Sequence, residues 1–292
     1  MMARRGAALA LSVLIPALMP SLAPADELLK RGAYLTRAAG CMGCHTDRKD
    51  NGAPYAGGRA LKTPFGTFYS PNITADKETG IGAWSDDDFL AAVKRGIRPD
   101  GSHYFPVFPY TSYTLMRAED ALAIKAYLFS LAPVARRNRE HDVGPPFGWR
   151  WSMVAWKQLY FDQGAFAVDG KQDRQWNRGA YLVNALTHCG ECHTPRNSAG
   201  AMDRTLWMAG AKKGPEDDAA PNITSAPNSG LGWPRDQLSF FLKTGTKPDW
   251  ETAEGVMKEA IEDGYKHLTD ADRDAIARYI SDLPGIENRV GD

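Results

Sequence analysis

The sequence has no excess of either charge: 35 Lys and Arg face 35 Asp and Glu across 292 residues. No block of clustered cations stands anywhere along it. Neutralising phosphates requires such clusters, so a nucleic-acid-binding role is excluded. After the first 25 residues no run of 18 apolar residues occurs, and the mature chain is expected to have no transmembrane segment of its own. No recognised hydrolase or nucleotide-binding motif is present. Cysteine is scarce: there are four, and two copies of one short motif use all of them, leaving none for a separate nucleophile. The remainder, 43% hydrophobic and 24% charged, is the composition of an ordinary folded protein. The length suits two domains of about 130 residues, each large enough for its own core.

Residues 1–25 carry Arg4 and Arg5, then an apolar run from Gly6 to Leu22 broken by Ser12, Pro16 and Pro20, then Ala23-Pro24-Ala25. Charge, a short apolar core and a small-x-small site describe an export signal, cleaved after Ala25. The prolines suit a removed segment better than a retained membrane anchor. The expected location is the periplasm. Loss of Arg4 and Arg5 leaves 33 basic against 35 acidic residues, a formal charge of −2.

The cysteines fall as Cys41-Met42-Gly43-Cys44-His45 and Cys189-Gly190-Glu191-Cys192-His193. C-x-x-C-H is the attachment motif of c-type haem. Two thiols one helical turn apart can add to the two vinyl groups of one porphyrin, and the next residue offers an imidazole to the iron. A lone C-x-x-C would equally suit a redox dithiol or half of a zinc site. Two copies, each with its His in register and behind an export signal, point to two covalently bound haem c groups. Their binding residues are Cys41, Cys44, Cys189 and Cys192, with His45 and His193 as iron ligands.

The surroundings of the motifs repeat with a period near 150 residues. Arg31-Gly32-Ala33-Tyr34-Leu35 returns as Arg178-Gly179-Ala180-Tyr181-Leu182; Pro71-Asn72-Ile73-Thr74 returns as Pro221-Asn222-Ile223-Thr224; Gly80-Ile81-Gly82 returns as Gly230-Leu231-Gly232. Asn72-Ile73-Thr74 also matches a glycosylation acceptor, but its recurrence at the same place favours a structural loop against the haem edge. Each half reads as three helices: about Glu27 to Ala39, Ser85 to Gly96 and a last helix with Ile124, Tyr127, Leu128 and Leu131 on one face; then Gln175 to Leu186, Pro234 to Gly245 and a helix capped by Thr269. The expectation is an all-α protein of two tandem cytochrome c (class I-like) domains, each built around one covalent haem. Residues 26–133 form the first and 178–292 the second. Between them, residues 134–177 hold Trp149, Trp151 and Trp156, read as aromatics that pack on both domains and fix their relation.

Electron-transfer haems commonly carry His and Met as axial ligands. Between His45 and Pro133 the only Met is Met116, 71 residues beyond His45. In the second half Met202 and Met208 lie within 15 residues of His193, too close to reach the far face, whereas Met257 lies 64 residues beyond. Met116 and Met257 are therefore the expected distal ligands. Aligning the last helices by Tyr127 and Tyr279 sets Met116 opposite Leu268 and Met257 opposite Phe105, so the two are not strictly equivalent. His103 is the rival for the first site.

The runs Pro71-Asn72-Ile73-Thr74, Gly80-Ile81-Gly82-Ala83-Trp84-Ser85, Phe108-Pro109-Tyr110-Thr111-Ser112-Tyr113 and His188 to Asn197 resemble the multihaem cytochrome c subunits of periplasmic dehydrogenases, such as membrane-bound alcohol and gluconate dehydrogenases. The resemblance covers nearly the whole mature chain. It implies an electron carrier that takes electrons from a flavin-, quinone- or molybdenum-containing catalytic subunit and passes them to the respiratory chain through a downstream cytochrome or oxidase. Two departures stand out: the alcohol dehydrogenase subunits typically have three haems and a membrane-attaching tail, and they often have Met where this chain has Phe108. The chain looks more like the two-haem relatives, in which a Met at the position of Met116 fits the pattern. The alternative is a two-haem enzyme such as a cytochrome c peroxidase, which needs one iron with an open distal site and an acid/base group above it.

Overall fold

The computed structural model describes residues 24 to 290 apart from 215 and 217. Residues 1–23 of the expected export signal lie outside the described residues, whereas the expected cleavage point after Ala25 falls within them, in the first turn of a helix that opens at Pro24. The chain is mostly helical. Its longer helices are α1 (Pro24–Ala38), α2 (Asp86–Arg95), α3 (Ala118–Ser130), α4 (Ser152–Tyr160), α5 (Arg174–Tyr181), α6 (Arg235–Thr244), α7 (Gly255–Asp263) and α8 (Asp270–Ser281). A two-stranded antiparallel hairpin, β1 (Ala60–Thr63) and β2 (Gly66–Tyr69), is an addition to the all-α expectation.

The helix boundaries follow from their caps. Ser85 and Asp88 close a reciprocal capping box at the start of α2: the Asp88 amide donates to Ser85 Oγ at 3.1 Å, and the Ser85 amide donates to Asp88 Oδ2 at 3.0 Å. Gly96 ends the same helix at φ 60°, and Gly245 ends α6 at φ 77°. Thr269 caps α8, accepting from the Asp272 amide. The helix beginning at Arg174 continues past Tyr181 through a wider turn over Leu182–Leu186, close to its expected end. Two helices were not expected. One is α7, which carries Met257, and the other is α4, within the segment between the halves.

The repeated Arg-Gly-Ala-Tyr-Leu explains how the halves are joined. Each Gly lies where its helix crosses the last helix of its own half. A Cβ at Gly32 would stand 2.0 Å from the Ala123 carbonyl oxygen, and one at Gly179 would stand 1.9 Å from that of Ala275. Only hydrogen fits there. Each Arg pairs with an Asp of that last helix: Arg31 Nε donates to Asp120 Oδ1 at 2.9 Å, and Arg178 Nε donates to Asp272 Oδ1 at 2.8 Å. Each Tyr crosses to the other half. Tyr34 Oη donates to Asp272 Oδ2 and Tyr181 Oη to Asp120 Oδ2, both at 2.5 Å. The two phenols also accept amides that open the last helices, from Thr269 to Tyr34 at 3.1 Å and from Arg117 to Tyr181 at 3.2 Å. The interface is thus a two-fold-like exchange of tyrosines. Beneath it Leu35, Ile124 and Leu128 join Tyr181, Leu182, Ile276 and Ile280 in one continuous apolar core.

The intervening segment behaves unevenly. Trp156 is buried beside Phe68, Phe105 and Tyr110, and its Nε1 donates to the Ala199 carbonyl at 2.8 Å, so it touches both halves as expected. Trp149 and Trp151 instead stack on each other at 5.6 Å, with 47% and 69% of their surface exposed.

Candidate haem centres

Both cysteine motifs form a single helical turn at the end of a long helix. Cys41–Cys44 follows Gly40, which turns the chain at φ 64°, and Gly190–His193 follows His188 at φ 40°. The imidazoles are held identically. His45 Nδ1 lies 2.8 Å from the Pro71 carbonyl oxygen, and His193 Nδ1 lies 2.8 Å from that of Pro221. A carbonyl can only accept, so Nδ1 carries the hydrogen and Nε2 keeps its lone pair. Neither Nε2 makes a hydrogen bond among the described residues. Burial lowers the pKa of both rings, partly opposed by the proline carbonyl, and keeps them neutral. An oriented, neutral imidazole with a free Nε2 is what an iron ligand requires.

The Pro-Asn-Ile-Thr repeat is the device that aims those rings. Asn72 is 1% exposed; its Nδ2 donates to Val134 O at 2.7 Å, and its Oδ1 accepts from the Thr74 amide and hydroxyl at 2.9 and 2.8 Å. Asn222 repeats this with Ile286 O and Thr224. The loop carrying the acceptor carbonyl is therefore rigid, and Asn72 is a structural residue, as its repetition implied. Opposite it, the amides of Gly57 and Gly210 donate to the carbonyls of His45 and His193 at 2.8 and 2.7 Å. At φ 73° and 88° they pass so near the loop that a Cβ would meet Pro71 C at 2.4 Å or the Asn222 nitrogen at 2.7 Å.

All four cysteines are free. Burial, with the neighbouring Cys44, pushes the Cys41 thiol up to about 12; burial, with Glu191, does the same to Cys192. Cys44 and Cys189 are raised as well, again chiefly by burial. Redox dithiols depend on depressed thiol pKa values, and none of these four is lowered. Among the described residues no three His, Cys, Asp or Glu side chains converge as a metal cluster, so a four-ligand zinc site lacks even its third ligand there. Two free thiols and an oriented imidazole in each half fit a covalently attached haem.

The two motifs are neighbours. A Cβ on Gly40 would lie 3.7 Å from His188 Nε2, and the His188 ring stands edge-on to Tyr113 at 5.4 Å. Glu191, inside the second motif, is buried and accepts from Thr111 Oγ1 at 2.5 Å and Ser112 Oγ at 2.7 Å, both in the first half, while Arg196 holds its other oxygen at 2.5 Å. Burial raises its pKa, but Arg196 and the two hydroxyls outweigh that and leave it below the usual range. Sequence reading singled out both the Thr111-Ser112 run and Glu191 without pairing them. From the other side, Arg59 donates to Gly43 O at 2.8 Å and pairs with Glu259 of α7.

The structure separates the two methionines. Met257 is partly buried on α7, at the edge of the core. Met116 is 1% exposed, packed inside the core with its carbonyl held by Lys94 Nζ. Its counterpart is Leu268, 3% exposed, with its carbonyl held by Arg273. The expected pairing of Met257 with Phe105 does not hold: Phe105 is buried in the second cluster, 5.2 Å from Phe68. His103 lies beside that cluster, its carbonyl held by Arg150 at 3.1 Å.

Comparison with known proteins agrees with this geometry. The family model described as cytochrome c matches residues 177–284. The gluconate 2-dehydrogenase cytochrome c subunit of Pantoea cypripedii is 40% identical over 270 residues, covering 88% of this chain and 60% of that one. The fructose dehydrogenase cytochrome subunit of Gluconobacter japonicus is 41% identical over 259 residues, 88% of this chain and 52% of that one. The chain thus spans little more than half the length of these two relatives. A dihaem cytochrome c-type protein of Cereibacter sphaeroides is 39% identical over 260 residues, and the match covers 88% of this chain and 86% of that protein. Oriented imidazoles beside paired thiols, on a chain that matches the dihaem protein over most of both lengths, show that it belongs to the cytochrome c family; it is similar to the cytochrome c subunits of dehydrogenases.

Proposed function

We propose that the protein is a periplasmic dihaem electron carrier. It receives electrons from a separate dehydrogenase catalytic subunit of the flavin, quinone or molybdenum type and delivers them to a downstream cytochrome or oxidase of the respiratory chain. Each half, as a tandem cytochrome c domain, holds one haem: Cys41, Cys44 and His45 in the first, Cys189, Cys192 and His193 in the second, with Met257 as the distal ligand of the second. The observation that carries this reading is the duplication of the His Nδ1 to proline carbonyl contact, 2.8 Å in both halves, beside two thiol pairs in one rigid core.

The haem supplies reversible one-electron chemistry when bound. The chain's own residues orient the imidazoles and hold the second motif against the first half through Glu191, Thr111 and Ser112. The relatives named for gluconate and fructose dehydrogenases support a catalytic subunit as donor. The test uses the exported holoprotein and a dehydrogenase catalytic subunit isolated from the same cells. Rapid reduction of the haems by that subunit plus its substrate, and none by the substrate alone, is expected. Reduction by substrate alone, or none in either case, would overturn the role.

A further inference from the structure

The two halves share a second set of backbone landmarks that fixes what stands at the Met257 position in the first half. Gly96 and Gly245 end equivalent helices, and the isolated bridges Ile97 to His103 and Thr246 to Thr252 follow with identical spacing. The Tyr104 amide then donates to Gly96 O at 2.8 Å, and the Ala253 amide donates to Gly245 O at 2.7 Å. Tyr104 and Ala253 are thus equivalent. Four residues further on stand Phe108 and Met257, both partly buried and packed on the same core.

Approached from the other end, Tyr113 Oη donates to Ala39 O at 2.5 Å and Tyr265 Oη to Thr187 O at 3.3 Å, each acceptor lying two residues before its first cysteine. Three residues after these tyrosines come Met116 and Leu268, the core pair whose carbonyls Lys94 and Arg273 hold. The first half is three residues shorter between the landmarks, which is why counting back from the last helix set Phe105 against Met257.

From this we infer that the first haem has no methionine ligand: Phe108 occupies the distal position that Met257 fills in the second half, leaving an open coordination site suited to a small uncharged ligand such as carbon monoxide. The inference rests on the two-haem reading. Phe108 carries no donor atom. Its neighbours are aromatic, Tyr104 at 5.3 Å and Tyr113 at 5.9 Å, both edge-on. The Tyr113 hydroxyl is already committed to Ala39 O, and its pKa is raised far above the ordinary value, chiefly by burial. Neither Phe108 nor the committed Tyr113 hydroxyl can serve as the acid or base that peroxide cleavage needs. The site is therefore a binding position without turnover. Because a Met ligand raises a haem's potential, the first haem is the lower-potential one, and electrons entering there run toward the second.

The test is an optical titration of the reduced holoprotein with carbon monoxide, after intact mass has established two haems. That count is a separate result and tests the two-haem reading on its own. One carbon monoxide per two haems is expected, together with the far-red band of a single Met-to-iron bond in the oxidised form. Phe108→Met should abolish carbon monoxide binding, double the far-red band and raise the lower of the two midpoint potentials. Met116→Leu, a substitution of similar volume, should leave all three readings unchanged. No binding by the wild-type protein would overturn the inference. So would a halved far-red band in Met116→Leu, a new carbon monoxide site in His103→Ala, or steady-state peroxide turnover with a reduced small cytochrome.

Discussion

Replacing the two crossing tyrosines by phenylalanine should cost stability unequally. Tyr181 is 2% exposed and donates to Asp120, itself 2% exposed, so Tyr181→Phe strands a buried carboxylate oxygen and the Arg117 amide. A hydrogen bond to a charged partner contributes about 1.5–3 kcal/mol, and stranding the partner puts this loss at about 2–3 kcal/mol. Tyr34 makes the equivalent bonds to Asp272 and the Thr269 amide but is only half-buried, and water can replace part of what is lost. Tyr34→Phe should cost about 1 kcal/mol. At about 2–4 °C per kcal/mol for a chain of this size, the midpoints should fall by about 4–12 °C and 2–4 °C. The assay is thermal unfolding of the holoprotein followed by far-ultraviolet circular dichroism and by haem absorption. The reasoning fails if Tyr34→Phe proves the costlier change, or if either substitution costs under about 0.5 kcal/mol.

Other consequences follow from the same contacts. Gly179→Ala would set a Cβ 1.9 Å from the Ala275 carbonyl oxygen, backbone that cannot yield; calorimetry should show at least about 1–3 kcal/mol lost, and an unchanged midpoint would contradict the close crossing. Burial raises the Asp272 pKa, but the hydrogen bonds from Arg178 and Tyr34 win and leave it lowered. Its contribution to stability is therefore complete above the ordinary carboxylate value of 3.8 and is lost as pH falls through the depressed folded value. Denaturant midpoints of Asp272→Asn and wild type should differ at neutral pH and converge in acid; a constant gap would refute this sign. Met257→Ala should remove the far-red band of the oxidised protein and open the second haem to carbon monoxide; an unchanged band would remove Met257 from the ligand set.

The paired thiols and their oriented imidazoles were legible because C-x-x-C-H is short, local and occurs twice. The helix limits were legible because Ser85, Gly96, Gly245 and Thr269 are local caps. The distal positions were less so. They depend on where a three-residue length difference falls, and counting residues cannot place it without the Tyr104 and Tyr113 contacts. The Tyr34 and Tyr181 exchange was invisible for another reason: the repeat showed both residues, but each partner lies in the opposite half of the chain. Helix α7 went unseen because it opens on Gly255, at φ 54°, and Glu254 before it makes no capping hydrogen bond. Thr111, Ser112 and Glu191 were all in view, and only the packing of one half on the other pairs them.

The account turns on two haems, one on each cysteine pair, and intact mass of the exported protein after denaturation reads that directly. The expected mass is the chain from near Asp26 plus two covalently attached haems, falling to one in Cys189→Ala/Cys192→Ala. A wild-type mass with one haem or none, or zinc released on acidification, would contradict it.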